Sequence, residues 1–333
     1  MIWPTARQDT ILPEMSTKIA FLFPGQGSQA VGMGRGLAES LPIAAHTFAE
    51  ADEALGFSLS KLIFEGPEED LRLTENTQPA ILTVSVAAWR VLAEHGVHPS
   101  VAAGHSLGEW SAHVAAGTLT FADAVRAVKA RGRAMQLAVP AGVGAMAAVL
   151  ALAPDAVAEA CREAAAETGL VVAAANLNSP SQTVISGALA AVEKASAIAK
   201  TKGARRAVML PVSAPFHCAL MEPAQLEVAR VLAALSLKDP AIPVAANVTG
   251  RLVRNAAAAQ DALINQVTGT VRWVDCMQSL VADGANLFIE VGPGKVLSGL
   301  LKQIDPAQKS MNVENPASLE ATLAALTELK SAG

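Results

Sequence analysis

"VAAGHSLGEWSAHVAAG", residues 101–117, carries two serines, the first of them fenced by two glycines. Its opening residues are small and apolar and read as a short buried strand entering a turn. Its closing residues, "EWSAHVAAG", read as a helix. Between them, Gly104-His105-Ser106-Leu107-Gly108 fits G-x-S-x-G, and the strand before and helix after are the context that gives this motif meaning. A side chain two residues from the serine on either side would collide with neighbouring backbone, hence glycine. The turn exposes the hydroxyl, and a helix N-terminus offers free N–H groups to a developing oxyanion. A glycine-rich turn in which Ser106 is only a helix cap would use the same five letters. The flanking elements favour the nucleophile.

Working outward, "KIAFLFP" (18–24) and "LFIEVGP" (287–293) read as further buried strands, with Ala- and Leu-rich helical stretches such as 78–95 and 120–138 between them. Strands alternating with longer helices imply a parallel sheet covered on both faces, an α/β fold. Residues 142 to 212 read differently. "GAMAAVLAL" is a strand and "PDAVAEACREAAAETG" a helix. "VVAAANLN" and "QTVISG" are two strands joined by "SPS". "ALAAVEKASAIAKTKG" is a helix and "RRAVMLPV" a strand. That order, β-α-β-β-α-β, is the ferredoxin-like pattern. The expected division is a large α/β domain from 15–141 and 213–333, with a small subdomain inserted over 142–212. Residues 1–14, "MIWPTARQDTILPE", lack the apolar stretch of a signal peptide. With Met15 just before the first strand, they read as a disordered leader or an upstream start chosen in error.

Composition narrows the function. The 333 residues are 52% hydrophobic, enough for a large core. A net charge of −5 with no basic run argues against nucleic-acid binding by general electrostatics. Cys161, Cys218 and Cys276 are dispersed and odd in number, which suits neither a disulfide framework nor a zinc site. They suggest a reducing compartment, the cytoplasm. No apolar stretch approaches a membrane span without a charge or a Gly/Pro break. "GQGSQA" (25–30) matches a loose dinucleotide fingerprint, but residues 42–56 look helical where that reading needs a strand. "GPGKVL" (292–297) lacks the spacing of a phosphate loop. Acidic residues form no metal-like set, so no metal is expected.

A serine nucleophile needs a base. Of six histidines, His46, His95 and His98 look like surface residues. His105 adjoins the serine and should point the other way. His113, seven positions beyond Ser106, lies about 10 Å along the helix axis. His217, in "PVSAPFHCALM", starts where the small subdomain ends, a usual place for a cleft.

Six motifs then coincide in one order: "FPGQGSQ" (23–29), "GHSLGE" (104–109), "RGRAMQ" (131–136), "NLNSP" (176–180), "PVSAPFH" (211–217) and "EVGPGKVL" (290–297). Together they resemble the malonyl-CoA:acyl-carrier-protein transacylases of bacterial fatty-acid synthesis, over roughly residues 17 to 330. The resemblance implies a hydrolase-like α/β domain with a ferredoxin-like subdomain. It implies that Ser106 carries an acyl ester, with His217 as its base. Backbone N–H groups of Gln26 and Leu107 would hold the oxyanion. From "KARGR", which offers Lys129, Arg131 and Arg133, it singles out Arg131 for the malonyl carboxylate. A guanidinium suits that task because it can clamp a carboxylate bidentately.

No acid completes a Ser-His-Asp set, and the resemblance implies instead that the backbone carbonyl of Gln266 orients the histidine. Met135 and Asn176 would line the pocket. Phe216, just before the histidine, would crowd an α-methyl group and so favour malonyl over methylmalonyl. No bound cofactor is expected, since the CoA thioester and the phosphopantetheine arrive on the substrates, malonyl-CoA and an acidic acyl carrier protein. For the carrier, Arg205 and Arg206 in the densest basic stretch, "KTKGARRA" (200–207), are the expected contacts. A monomer is expected. The alternatives are a discrete acyltransferase of polyketide synthesis, a serine thioesterase or esterase, and a silent scaffold that binds carriers.

Overall fold

The computed structural model describes residues 17–212 and 214–331. The expected leader, 1–14, lies outside them. Among the described residues there are ten strands: β1 Ile19–Phe23, β2 Val101–Gly104, β3 Gly144–Leu150, β4 Val172–Ser179, β5 Gln182–Ala188, β6 Arg206–Met209, β7 Val244–Ala245, β8 Leu252–Val253, β9 Leu287–Val291 and β10 Lys309–Val313. Six form one sheet in the order β10-β9-β1-β2-β7-β8. Every pairing in it is parallel except the short β7–β8 hairpin at one edge.

The central strands are apolar, apart from the buried Glu290 of β9, because helices cover both faces. Phe21 and Phe23 join a cluster with Ile81, Val84, Trp110, Val125 and Val128, from helices Thr74–Glu94, Leu107–Ala115 and Phe121–Leu137. Ala20 and Leu22 point the opposite way, toward Trp273, Met277, Leu280, Leu297 and Leu301 of helices Trp273–Ala282 and Val296–Ile304. Alternate residues of one strand thus feed two cores, which is what a period of two does in a sheet buried on both sides.

The other four strands form an antiparallel sheet in the order β4-β5-β3-β6. Its helices, Pro154–Thr168 and Leu189–Thr201, pack on one face through Val157, Ala160, Ala164, Val192 and Ala195. This is the ferredoxin-like order that the sequence suggests. The opposite face, with Met146, Ala148 and Val184, packs into the large core instead. A second seam ties the small sheet to the segment that precedes helix Trp273–Ala282. Leu177 N–H donates to the Val271 carbonyl at 2.9 Å, and Val271 N–H donates to that of Ala175 at 2.8 Å.

Some elements left no trace in the sequence. β7 and β8 have two residues each, too few to show a period. β10, "KSMNV", is an edge strand whose first residues are exposed, so it is not an apolar run. The helix expected from residue 78 begins at Thr74, with Pro79 inside it. Pro79 falls in the second turn, where its missing N–H removes one i→i−4 hydrogen bond. Among the described residues no helix is long and apolar enough to cross a membrane.

Candidate active site

Ser106 sits between β2 and helix Leu107–Ala115 with φ 50° and ψ −103°, a left-handed turn that L residues seldom adopt. Both glycines are required by space. A Cβ at Gly104 would lie 1.9 Å from the Gly108 carbonyl, and one at Gly108 would lie 2.0 Å from the Phe23 oxygen. The strained turn is clamped on both sides. Ser106 N–H donates to Asn247 Oδ1 at 2.7 Å, and the Ser106 carbonyl accepts from Gln266 Nε2 at 2.9 Å.

His217 also has a positive φ, 60°. Its Nδ1 donates to the Gln266 carbonyl at 2.8 Å, which leaves Nε2 as the acceptor facing Ser106 Oγ at 2.8 Å. A neutral carbonyl therefore holds the imidazole where a triad would place a carboxylate. Burial, helped by the nearby Arg131 charge, pushes His217 down to about 3, so the ring is neutral at ordinary pH.

Arg131, in helix Phe121–Leu137, is fully buried beside the serine. Its Nη1 donates to Gln78 Oε1 at 2.7 Å, and its Nη2 donates to Gln266 Oε1 at 2.8 Å and to Ser106 Oγ at 3.2 Å. Burial lowers it to about 10, which leaves it a cation. Lys129 and Arg133, its neighbours in sequence, face elsewhere: Lys129 pairs with Glu75 at 3.3 Å, and Arg133 is exposed.

These groups floor a cavity of about 210 Å³. Gln26, Leu107, Met135, Asn176 and Phe216 line it too, while Met146, Val184 and Leu210 of the small sheet close it from above. Leu107 opens its helix, so its N–H is one of the donors a helix start leaves without an intrahelical partner. Arg205 and Arg206 are exposed and not among the lining residues. His113 is buried against Thr118 Oγ1 at 3.2 Å. His105 does turn from the serine, its Nε2 lying 2.8 Å from Asn178 Oδ1, yet it also lines the cavity.

Sequence reading missed four contributors. Glu109 is fully buried, and its Oε2 accepts from Gln266 Nε2 at 2.7 Å and from Asn247 N–H at 2.9 Å. A charged residue closing "GHSLGE", in a helix with no other carboxylate, was an available signal. Gln78 and Asn178 stand as ordinary polar residues in their segments. Asn247 arrives through the two-residue strand β7 and had no signal at all.

A family model, the acyl transferase domain, matches residues 20–319, so the Ser106 elbow (the turn at 104–108), the small sheet and the C-terminal strands fall within one span. The protein is an acyltransferase. The malonyl CoA-acyl carrier protein transacylase of Bacillus subtilis (strain 168) is 48% identical over 94% of this chain and 98% of its own length. That of Escherichia coli (strain K12) is 49% identical over 92% of this chain and 99% of its own. Among solved structures, an acyl carrier protein S-malonyltransferase from Vibrio cholerae O1 biovar eltor superposes with TM-score 0.89 at 50% identity, covering 92% of this chain and all of that one. A malonyl-transacylase solved in complex with its type II PKS acyl-carrier protein gives 0.90 at 44% identity, covering 93% of this chain and 100% of that one. The chain belongs to the malonyl CoA-acyl carrier protein transacylase family.

Proposed function

We propose that this acyltransferase moves malonyl from malonyl-CoA to the phosphopantetheine thiol of holo-acyl carrier protein through an ester on Ser106, supplying extender units for fatty-acid synthesis. One observation carries the reading: a buried guanidinium stands 3.2 Å from the serine hydroxyl. A thioesterase or esterase for apolar acyl groups has no use for a buried cation there, whereas malonyl differs from acetyl by one carboxylate.

The chemistry follows from the contacts. The Ser106 hydroxyl proton passes to His217 Nε2 as Oγ attacks the thioester carbonyl. Backbone N–H groups of Leu107 and Gln26 take the oxyanion; losing one such donor typically costs about 10²–10³ in rate. The tetrahedral adduct collapses, the C–S bond breaks, and the imidazolium returns its proton to the CoA sulfur. The carrier thiol then runs the same steps in reverse, and Ser106 is freed. Arg131 holds the carboxylate throughout. Because Arg131 is one of the charges that depress His217, a malonyl carboxylate that offsets it makes the imidazole a better base. The cognate acyl group thereby assists its own transfer.

Phe216 is on the cavity wall beside His217, where its ring would crowd an α-methyl branch. Met135 and Asn176 complete the wall. Arg205 and Arg206 are read as carrier contacts: they stand exposed at the start of edge strand β6, whose continuation brings Leu210 to the cavity. Three buried free cysteines suit the reducing cytoplasm. A monomer with no bound cofactor suffices, because the reacting thiols belong to the substrates. A second reading, service to a polyketide carrier, is favoured by the related structure in complex with a type II PKS carrier.

Intact-mass spectrometry of the protein mixed with malonyl-CoA alone tests the reading. A malonyl adduct is expected within seconds, absent in Ser106→Ala and weak with acetyl-CoA. Steady CoA release with no adduct would point to a hydrolase, and neither adduct nor release would point to a silent scaffold.

A further inference from the structure

Arg131 presents an electrostatic problem. Its hydrogen-bond partners, Gln78, Gln266 and Ser106, are all neutral, and its Nε has none among the described residues. A buried cation with neutral partners is costly unless a counter-charge stands close by. The candidate is Glu109, equally buried, in the first turn of the elbow helix. One carboxamide joins the two. Gln266 turns its oxygen to Arg131 Nη2 at 2.8 Å and its Nε2 to Glu109 Oε2 at 2.7 Å. The amide dipole is thus aligned with both charges. Glu109 Oε1 has no hydrogen-bond partner among the described residues, and Glu109 is not among the cavity-lining residues.

We propose that Glu109 is the resident counter-charge of Arg131 and that it sets how tightly the site holds a free carboxylate. The inference rests on the reading of Arg131 as the ligand of the malonyl carboxylate. In the empty site one carboxylate faces one guanidinium through Gln266. When malonyl docks, two carboxylates share that guanidinium, and Glu109 weakens the hold on the newcomer. The protein loses affinity it cannot use, because binding substrate and transition state equally tightly does not speed transfer. The charges also register on each other. Burial pushes Glu109 up to about 7 while Arg131 pulls it down, and Glu109 in turn opposes the lowering of Arg131 by burial.

Glu109→Gln tests this in the full chain. The variant keeps the shape and an oxygen for Gln266 and Asn247, and removes only the charge. At pH 8 the KM for malonyl-CoA and the inhibition constant of monomethyl malonate should each fall about tenfold, the Coulomb effect expected across one intervening amide. The KM for acetyl-CoA should change less than twofold. A role confined to holding the fold together would weaken binding of both and tighten neither. In an Arg131→Ala background the tightening should vanish. An unchanged or higher inhibition constant in Glu109→Gln, with Arg131→Ala still abolishing malonyl preference, overturns the inference alone. An Arg131→Ala variant that keeps malonyl preference overturns the reading of Arg131 and the inference with it.

A second measurement needs no variant. In the wild type, monomethyl malonate should bind more tightly at pH 6 than at pH 8, because protonating Glu109 removes the competing charge. Across that range the groups facing it keep one state: Arg131 as a cation, Gln266 and Asn247 as amides, and Cys276, whose thiol is pushed up by burial. His217 and His105, the titratable groups nearest the cavity, both lie below their ordinary value. No change between the two pH values would overturn the inference as surely.

Discussion

The cavity has a floor and a roof built on different terms. The floor is polar and buried, and Gln266 behind it ties its groups together, reaching His217, Arg131, Ser106 and Glu109. The roof is Met146, Val184 and Leu210 from the small sheet, which touch the cavity by shape alone. A lost floor group leaves a charge or lone pair without its partner, while a trimmed roof group leaves only space. Floor substitutions should therefore abolish or re-sign the chemistry, and wall or roof substitutions should retune which acyl group fits.

The largest effect on the floor after the nucleophile itself belongs to Arg131. Arg131→Ala should lower malonyl-CoA acylation by about 10²–10³, the usual penalty for removing one partner of a buried charged pair. Acetyl-CoA, with no carboxylate, should lose less than about tenfold. Equal losses for both acyl groups would show that the guanidinium serves the serine and not the substrate. Stopped-flow or quenched-flow acylation measures the two rates directly.

The same floor predicts an unusual pH response. An ordinary histidine near 6.5 would be mostly protonated at pH 5 and lose about 30-fold of its base form. His217 titrates at about 3, so its base form persists. With acetyl-CoA, which brings no carboxylate to offset Arg131, kcat/KM for acylation should then change less than about threefold between pH 8 and pH 5. Stability has the opposite trend for this group. Its folded value lies below the unfolded one, so the unfolded chain binds the proton first. The contribution of His217 is intact above about 6.5 and is lost progressively as pH falls from there toward 3. A plateau in rate over a range where the melting temperature declines is the expected signature.

How much of this was legible beforehand follows the same division. The elbow was readable because strand, motif and helix are contiguous, and the small sheet was readable because its six elements follow one another in 144–209. The pairing of Ser106 with His217 needs a separation of 111 residues to close, and position alone made the histidine only a candidate. The support was less legible still. Asn247 and Gln266 look unremarkable in their own segments and matter only because β7 and the following helices bring them under the elbow. Glu109 gives no sign of its burial in sequence, since a lone carboxylate on a helix is ordinarily a solvated one. Contiguous geometry leaves a pattern in sequence; convergent geometry leaves residues that look ordinary.

On the wall, the expected effects shrink to packing. Phe216→Ala should raise acylation by methylmalonyl-CoA relative to malonyl-CoA by about tenfold, the scale at which a pocket discriminates one methyl group. Loss of the malonyl reaction itself should be smaller, because Phe216 makes no hydrogen bond to the reacting groups through its ring. Competition between the two thioesters in one reaction, read by intact mass, gives the ratio. An unchanged ratio would move the selectivity to Met135 or to the small sheet.

The smallest effect lies outside the cavity altogether. Arg205 and Arg206 are exposed and do not line the cavity, so they can act only on a partner that approaches from solvent. A rim charge mainly alters encounter rate and salt dependence. Arg205→Ala with Arg206→Ala should therefore raise the KM for the acyl carrier protein about threefold at low salt, with the difference fading as ionic strength screens it. Acylation by malonyl-CoA in the absence of carrier should stay within twofold. The sign of the salt dependence decides the case: a partner drawn by these arginines must lose affinity as salt rises, and lose less of it in the variant. If the two salt slopes coincide, the carrier meets the cavity along another edge, and the basic stretch at 200–207 is only the solvated end of a helix.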